Sequence, residues 1–262
     1  MILATLLSVL AFLTVIPVHA QTGIIVPLYS YPETNATWEP LEIAIGTFPD
    51  VQFYVIINPD SGPGATDTNY QGAVAALNPY ANVLLVGYVL TGYGTRPLYE
   101  VQQDIETYAG WPAATGLAGI FFDETLAGLT QTYTAYTDAA RNVTWPGRST
   151  AYVILNPGED IGDSDYYAFA DQIVTFEDTY PRYQNLAPLP LPHPAQQSVI
   201  MNSFNGTNET LASLVQCFET SGLASAYITD LDTDIYNSFG SDWTAFAQDV
   251  NTTEGVSGVY DE

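Results

Sequence analysis

Eight short apolar runs recur along this chain, each followed by a stretch of different periodicity. They cover residues 23–31, 52–58, 82–91, 119–124, 150–156, 171–177, 198–204 and 225–230. Val, Ile, Leu, Phe and Tyr fill them almost continuously, without polar alternation, as in strands covered on both faces. Between them, apolar residues return every three or four positions. Leu98, Val101, Ile105 and Tyr108 share one helical face, as do Leu211, Leu214, Val215 and Phe218, and Trp243, Phe246, Ala247 and Val250. Eight strand–helix units in about 240 residues predict an α/β fold closed as a (β/α)8 TIM barrel, one domain over residues 21–262. An open doubly wound sheet is the rival. The sixth unit is the weakest, since proline-rich residues 178–194 leave little room for a full helix.

Residues 1–20 read as a secretory signal peptide. An apolar core from Ile2 to Ile16 precedes Pro17 and the small-residue end Val18-His19-Ala20. The segment lacks a basic flank, and its alternative is a retained anchor; no other run is long and apolar enough to span a bilayer. Five N-x-Ser/Thr sequons, at Asn35, Asn142, Asn205, Asn208 and Asn251, agree with a glycosylated protein outside the cell, free or associated with a wall. Cys217 is the one cysteine, so no intramolecular disulfide can form. Its helical context reads as a small buried hydrophobe.

Charge and absences prune the chemistry. With 29 acids, four arginines (Arg96, Arg141, Arg148, Arg182), no lysine and a net charge of −25, nucleic acid and anionic lipid are repelled. Such a chain would favour a cationic amino-sugar polymer, although solubility in an acidic medium explains the charge more simply. Without lysine there is no Schiff-base chemistry. Beyond the leader, His193 in a proline-rich loop is the remaining histidine, which argues against a zinc hydrolase and a Ser-His-Asp triad. Asp230-Leu-Asp-Thr-Asp234 imitates a calcium loop, but Ile235 replaces the required glycine and Ser241 the bidentate glutamate. Neither a metal nor an organic cofactor is expected. Asp60-Ser61-Gly62 is half of an aspartic-protease signature with no second copy, and Gly162-Asp163-Ser164 has no histidine to support a serine nucleophile. Ser61-Gly-Pro-Gly64 reads as a tight loop after the second strand.

The ends of the apolar runs carry the polar groups. They offer Tyr29 and Tyr31, Asn58, Tyr88, Asp123 with Glu124, Asn156, Glu177 with Asp178, Asn202 and Asp230. In a barrel these ends converge on one face, giving a cup of carboxylates, amides and tyrosines suited to a polyol. Gly119-Ile-Phe-Phe-Asp-Glu124 is the sharpest of them, an apolar strand running into two acids. Successive strand residues face opposite ways, so one of Asp123 and Glu124 must leave the strand for both to reach the cup. The alternative is an acid that caps the following helix. Glu177 or Asp178, two strands on, would stand ~5–9 Å from the pair, within the reach of paired-carboxylate glycosidases. Asp230 is read either as a strand-end acid or as part of an acidic loop.

Four segments resemble the spherulin-4, or spherulation-specific 4, family: Val26-Pro-Leu-Tyr-Ser-Tyr-Pro32, Val55-Ile-Ile-Asn-Pro-Asp-Ser-Gly-Pro-Gly64, Val86-Gly-Tyr-Val-Leu-Thr91 and Gly119-Ile-Phe-Phe-Asp-Glu124. The likeness is clearest over residues 23–125 and thinner after Pro190. It implies a barrel like the glycoside hydrolases of family 135, endo-acting α-1,4-N-acetylgalactosaminidases that cut fungal galactosaminogalactan. It also implies that Asp123 and Glu124 match the family's catalytic Asp-Glu pair, with the third acid at Glu177 or Asp178. On this reading one acid of the pair, its pKa raised by neighbouring phenylalanines, protonates the leaving oxygen. The other, or Glu177, serves as nucleophile or charge stabiliser, or an acid positions the substrate's own N-acetyl group for attack. Tyr29, Tyr31, Tyr88, Asn58, Asn156, Asp178, Asn202 and Asp230 are the expected sugar contacts. The rival from another class is a non-catalytic glycan-binding wall or spore-coat protein, in which Arg96 or Arg148 would tie up the acids.

Overall fold

The computed structural model describes residues 21–146, 148–186 and 188–252; the expected leader lies outside them. Eight parallel strands follow one another round a closed barrel: β1 (Gly23–Leu28), β2 (Phe53–Ile57), β3 (Val83–Leu90), β4 (Gly119–Asp123), β5 (Tyr152–Leu155), β6 (Gln172–Thr179), β7 (Gln197–Asn202) and β8 (Ser225–Ile228). Closure is direct, with Gly23 and Ile24 paired to Ser225 and Ala226, which removes the open sheet as an alternative. The crossovers carry α1 (Asn35–Thr47), α2 (Thr68–Leu77), α3 (Leu98–Ala109), α4 (Thr130–Asn142), α5 (Tyr180–Gln184), α6 (Asn208–Ser221) and α7 (Trp243–Thr252). The proline-rich sixth unit holds the five-residue α5, as its composition foretold. The fifth unit departs from expectation: its crossover contains a 3-10 turn, Ser164–Ala168, and no α-helix among the described residues.

Both sheet faces are buried, which explains the continuous apolar runs. Phe121 and Phe122 are neighbours on β4; Phe121 meets Tyr88 at 6.0 Å and Phe122 meets Tyr136 of α4 at 6.1 Å. At the N-terminal end of the barrel, Tyr54 of β2 stacks on Tyr152 of β5 across the interior, 5.5 Å apart. Gln172 donates to the Tyr152 hydroxyl and accepts from Ser198 and Ser225, so this polar layer satisfies itself. Outside, Val101, Ile105 and Tyr108 of α3 are buried as read, whereas Leu98, its first residue, is exposed. Cys217 is also exposed, against expectation. Leu211, Val215 and Phe218 take the inner face of α6, and Cys217 lies about 200° round the helix from Val215.

Glycines let the layers meet. The position a Cβ would take on Gly119 lies 1.9 Å from the backbone oxygen of Tyr152, and on Gly87 it lies 2.6 Å from the ring of Tyr108. Backbone on a neighbouring strand cannot swing aside as a flexible side chain can. Gly119→Ala should therefore cost about 3 kcal/mol or more, read as a lowered urea midpoint. An unchanged midpoint would contradict the β4–β5 approach.

Candidate active site

The inward positions at the C-terminal strand ends bring the chemistry together. Tyr88 and Asp123 follow the inward side of β3 and β4, because Phe122 between Phe121 and Asp123 packs outward on Tyr136. On β5 the inward Tyr152 sets the parity that leaves Asn156 inward, just past the strand. On β6, Phe176 packs outward on Tyr183 of α5, so Glu177 turns inward and the exposed Asp178 turns out. A register shift between Val174 and Phe176 accompanies this turn. Of the two candidates left open in the sequence, Glu177 is the one that reaches the cup. Asp178 accepts the N–H of Thr179 at 2.6 Å and does not approach the site.

One amide joins the two carboxylates. Asn156 Nδ2 donates to Asp123 Oδ1 at 2.7 Å and to Glu177 Oε2 at 2.5 Å. These two legs cap the separation of those oxygens at about 5.2 Å. Tyr88 donates to Asp123 Oδ2 at 2.5 Å, and the Tyr236 hydroxyl donates to Glu177 Oε1. Tyr29 stands between the two phenols, its ring edge-on to Tyr88 at 5.5 Å and to Tyr236 at 5.1 Å.

Glu124 reaches this cup because the backbone leaves the strand. Its φ of 52° puts a non-glycine residue in the left-handed region. Its carbonyl is pinned there by the Tyr93 N–H at 2.8 Å and by the Thr91 hydroxyl at 2.8 Å, which also contacts the Asp123 carbonyl. Among the described residues the Glu124 side chain has no hydrogen-bond partner, and its charge is felt at the Tyr88 hydroxyl. The helix-capping alternative fails, because α4 begins after Leu129 with neither acid at its cap.

Burial and its neighbours act on Glu177. Burial raises the pKa of Glu177; the donors Tyr236 and Asn156 pull it back and the charge of Asp123 pushes it up again. The carboxyl pushed up by burial is Glu177. Burial, reinforced by the acids, also raises the phenols of Tyr29, Tyr88 and Tyr236, keeping them as neutral hydrogen-bond donors.

The other candidates scatter. Asn58 accepts the N–H of Gly62 at 3.2 Å, holding a tight loop in which Ser61 and Gly64 have φ of 48° and 59°. Tyr31 lies on the rim, its hydroxyl donating to Asp67 at the cap of α2. Asn202 accepts from Ser203. Asp230 is an acidic-loop residue held by Ser241. None of these four touches the three acids. Tyr236 was missed by sequence reasoning, since an aromatic residue in a long loop gives no periodic signal. Arg96 pairs with Asp104 at 2.8 Å beside a hollow of about 790 Å³ between the loop after β2 and α3, and Arg148 lies over Tyr152; neither reaches the acids.

Asn156→Ala would remove a donor that holds the pKa of Glu177 down, so that pKa should climb further. A raised carboxyl leaves stability intact below its ordinary pKa, and stability is lost as pH rises through the folded-state value. The variant should therefore lose more at about pH 7 than at about pH 4, by about 2 kcal/mol in urea unfolding. Equal losses at both would contradict the bridge.

Known proteins complete the description. The model of Spherulation-specific family 4 matches residues 23–250. Spherulin-4 of Physarum polycephalum is 38% identical over 167 residues, 62% of this chain and 46% of that protein, so the chain spans under half of that relative. The crystal structure of Aspergillus clavatus Sph3 in complex with GalNAc superposes with a TM-score of 0.81 at 36% identity, covering 89% of this chain and 98% of that one. Its barrel and the family model's match over nearly all its described length place the chain in Spherulation-specific family 4.

Proposed function

We propose that the chain is a secreted glycoside hydrolase that cuts within a polysaccharide containing N-acetylgalactosamine, as an endo-α-1,4-N-acetylgalactosaminidase. The observation that carries this is the Asp123–Asn156–Glu177 bridge: two carboxyls from β4 and β6, held close on the face where barrel enzymes work, with one protonation state favoured by burial. The likeness to a relative crystallised with GalNAc supplies the sugar class. Partly deacetylated stretches of such a polymer would be cationic and attracted to a chain of net charge −25.

Glu177, whose pKa burial raises, is the general acid for the leaving oxygen. Asp123, which accepts from both Tyr88 and Asn156, is the nucleophile or stabilises the anomeric charge. Glu124, whose side chain has no hydrogen-bond partner among the described residues, binds the sugar beside them. The nearest oxygens of Asp123 and Glu177 lie within about 5.2 Å of each other, toward the close spacing of retaining enzymes, so a retaining course is the one proposed. The binding-protein alternative called for acids neutralised by Arg96 or Arg148, and both arginines are engaged elsewhere. Secretion rests on the leader and on sequons that fall at exposed positions, Asn35, Asn142, Asn205 and Asn208, with Asn251 partly buried.

The test is mass spectrometry of soluble products after incubation with galactosaminogalactan. The wild type should release oligosaccharides, and Asp123→Asn, Glu124→Gln or Glu177→Gln should each slow release by about a hundredfold or more with the fold intact. Binding without release would instead favour the wall protein. Above the pKa of Glu177 the acid loses its proton, so turnover should fall as pH rises; a rate unchanged from about pH 5 to about pH 8 would remove Glu177 from that role.

A further inference from the structure

Tyr236 comes from the loop 229–242 between β8 and α7, and this loop is fastened at two levels. Higher up, the Tyr29 N–H donates to the Tyr236 carbonyl at 3.1 Å, and the Ser203 N–H donates to the Leu231 carbonyl at 2.8 Å. At its foot, Ser241 donates to Asp230 twice, from its N–H at 3.0 Å and from its hydroxyl. The last contact at the foot is a pair of acids. The position a Cβ would take on Gly240 lies 2.0 Å from Asp230 Oδ1 and 2.8 Å from Asp242 Oδ1, so these oxygens are within about 4.8 Å of each other and a glycine is needed between them.

Both carboxyl oxygens of Asp242 are buried without a hydrogen bond of ordinary geometry among the described residues, and the nearby backbone N–H groups of Asp230 and Asp242 only partly offset that burial. An ionised Asp242 would then face Asp230 as an unpaired like charge, whereas a protonated one supplies the missing donor. Burial, with the charge of Asp230 added, pushes the Asp242 carboxyl up to about 7. Tyr227 of β8 is the other titratable group facing the pair; burial raises it too, so it stays neutral. No arginine pairs with either acid among the described residues.

We propose that Tyr236 is a positioning residue for Glu177, and that a protonated Asp242, donating to Asp230, is the clasp that keeps its loop closed. Below neutral pH the clasp holds and the Tyr236 hydroxyl stays on Glu177. As pH rises, the Asp242 proton leaves to solvent, the two carboxylates repel, and the foot of the loop loosens. What Tyr236 positions Glu177 for rests on the hydrolase reading; the clasp does not.

Two measurements on the whole protein test this without using turnover. Hydrogen exchange of the peptide spanning 229–242, corrected for the intrinsic effect of pH, should show about tenfold less protection at about pH 8 than at about pH 5. Asp242→Asn, whose amide can donate at any pH, should hold the same protection at both. Asp230→Asn, which moves the donor across the pair, serves if that variant does not fold. Carbon-13 titration of the Glu177 carboxyl should show its midpoint about one pH unit higher in Tyr236→Phe, because a donor to the ionised form is gone. Equal protection of the wild type at both pH values, or an equal loss in the asparagine variant, overturns the clasp. An unmoved Glu177 midpoint overturns the positioning role. An inactive protein would sink the hydrolase reading and leave these results standing.

Discussion

The site depends on one amide. Asn156 Nδ2 sits between carboxylates from β4 and β6 and donates to both. Two like charges this near would otherwise repel strongly in a buried setting. The bridge answers part of that repulsion, and burial together with the charge of Asp123 raises the pKa of Glu177 against the rest. Asn156 is in turn held by backbone contacts: its N–H donates to Phe122 and its carbonyl accepts from Thr125, so β4 fixes the residue that fixes the acids. Its own side-chain oxygen is buried without a partner among the described residues, while its amide nitrogen faces the carboxylates.

Around this core the chain concentrates its irregular backbone. The five non-glycine residues of positive φ among those described are Ser61, Tyr93, Glu124, Ser203 and Asp234, and each lies in a loop that follows a strand. These loops share the face where the acids lie. Strain of this kind persists when surrounding contacts over-determine it. Glu124 shows how: three donors grip its carbonyl and that of Asp123, and the side chain is delivered to the cup against the alternation of the strand. The opposite end of the barrel, with Tyr54, Tyr152, Gln172, Ser198 and Ser225, is a closed polar plug that serves stability.

Much of this was legible in the residues. Strands buried on both faces must be continuously apolar, so all eight could be read, and with them the convergence of Tyr29, Tyr88, Asp123, Asn156 and Glu177. Asn58 and Asn202 end strands as expected, yet local turns claim their side chains. Strand parity could not choose between Glu177 and Asp178 because the register shift on β6 leaves no trace in composition. The fifth crossover looked helical by count, and Cys217 looked buried because Leu211, Leu214 and Val215 leave the inner face of α6 broad. Tyr236 was out of reach, since its place depends on how a fourteen-residue loop folds back over the barrel.

Asp123 and Glu177, bridged by Asn156, are proposed as a hydrolytic pair of the retaining kind. Proton NMR of the anomeric signals during cleavage of an α-1,4-linked N-acetylgalactosamine oligomer tests it most directly. With retention, the α-anomer of the new reducing end appears first and equilibrates later with the β-anomer. The β-anomer appearing first, or no cleavage of that oligomer, would contradict it.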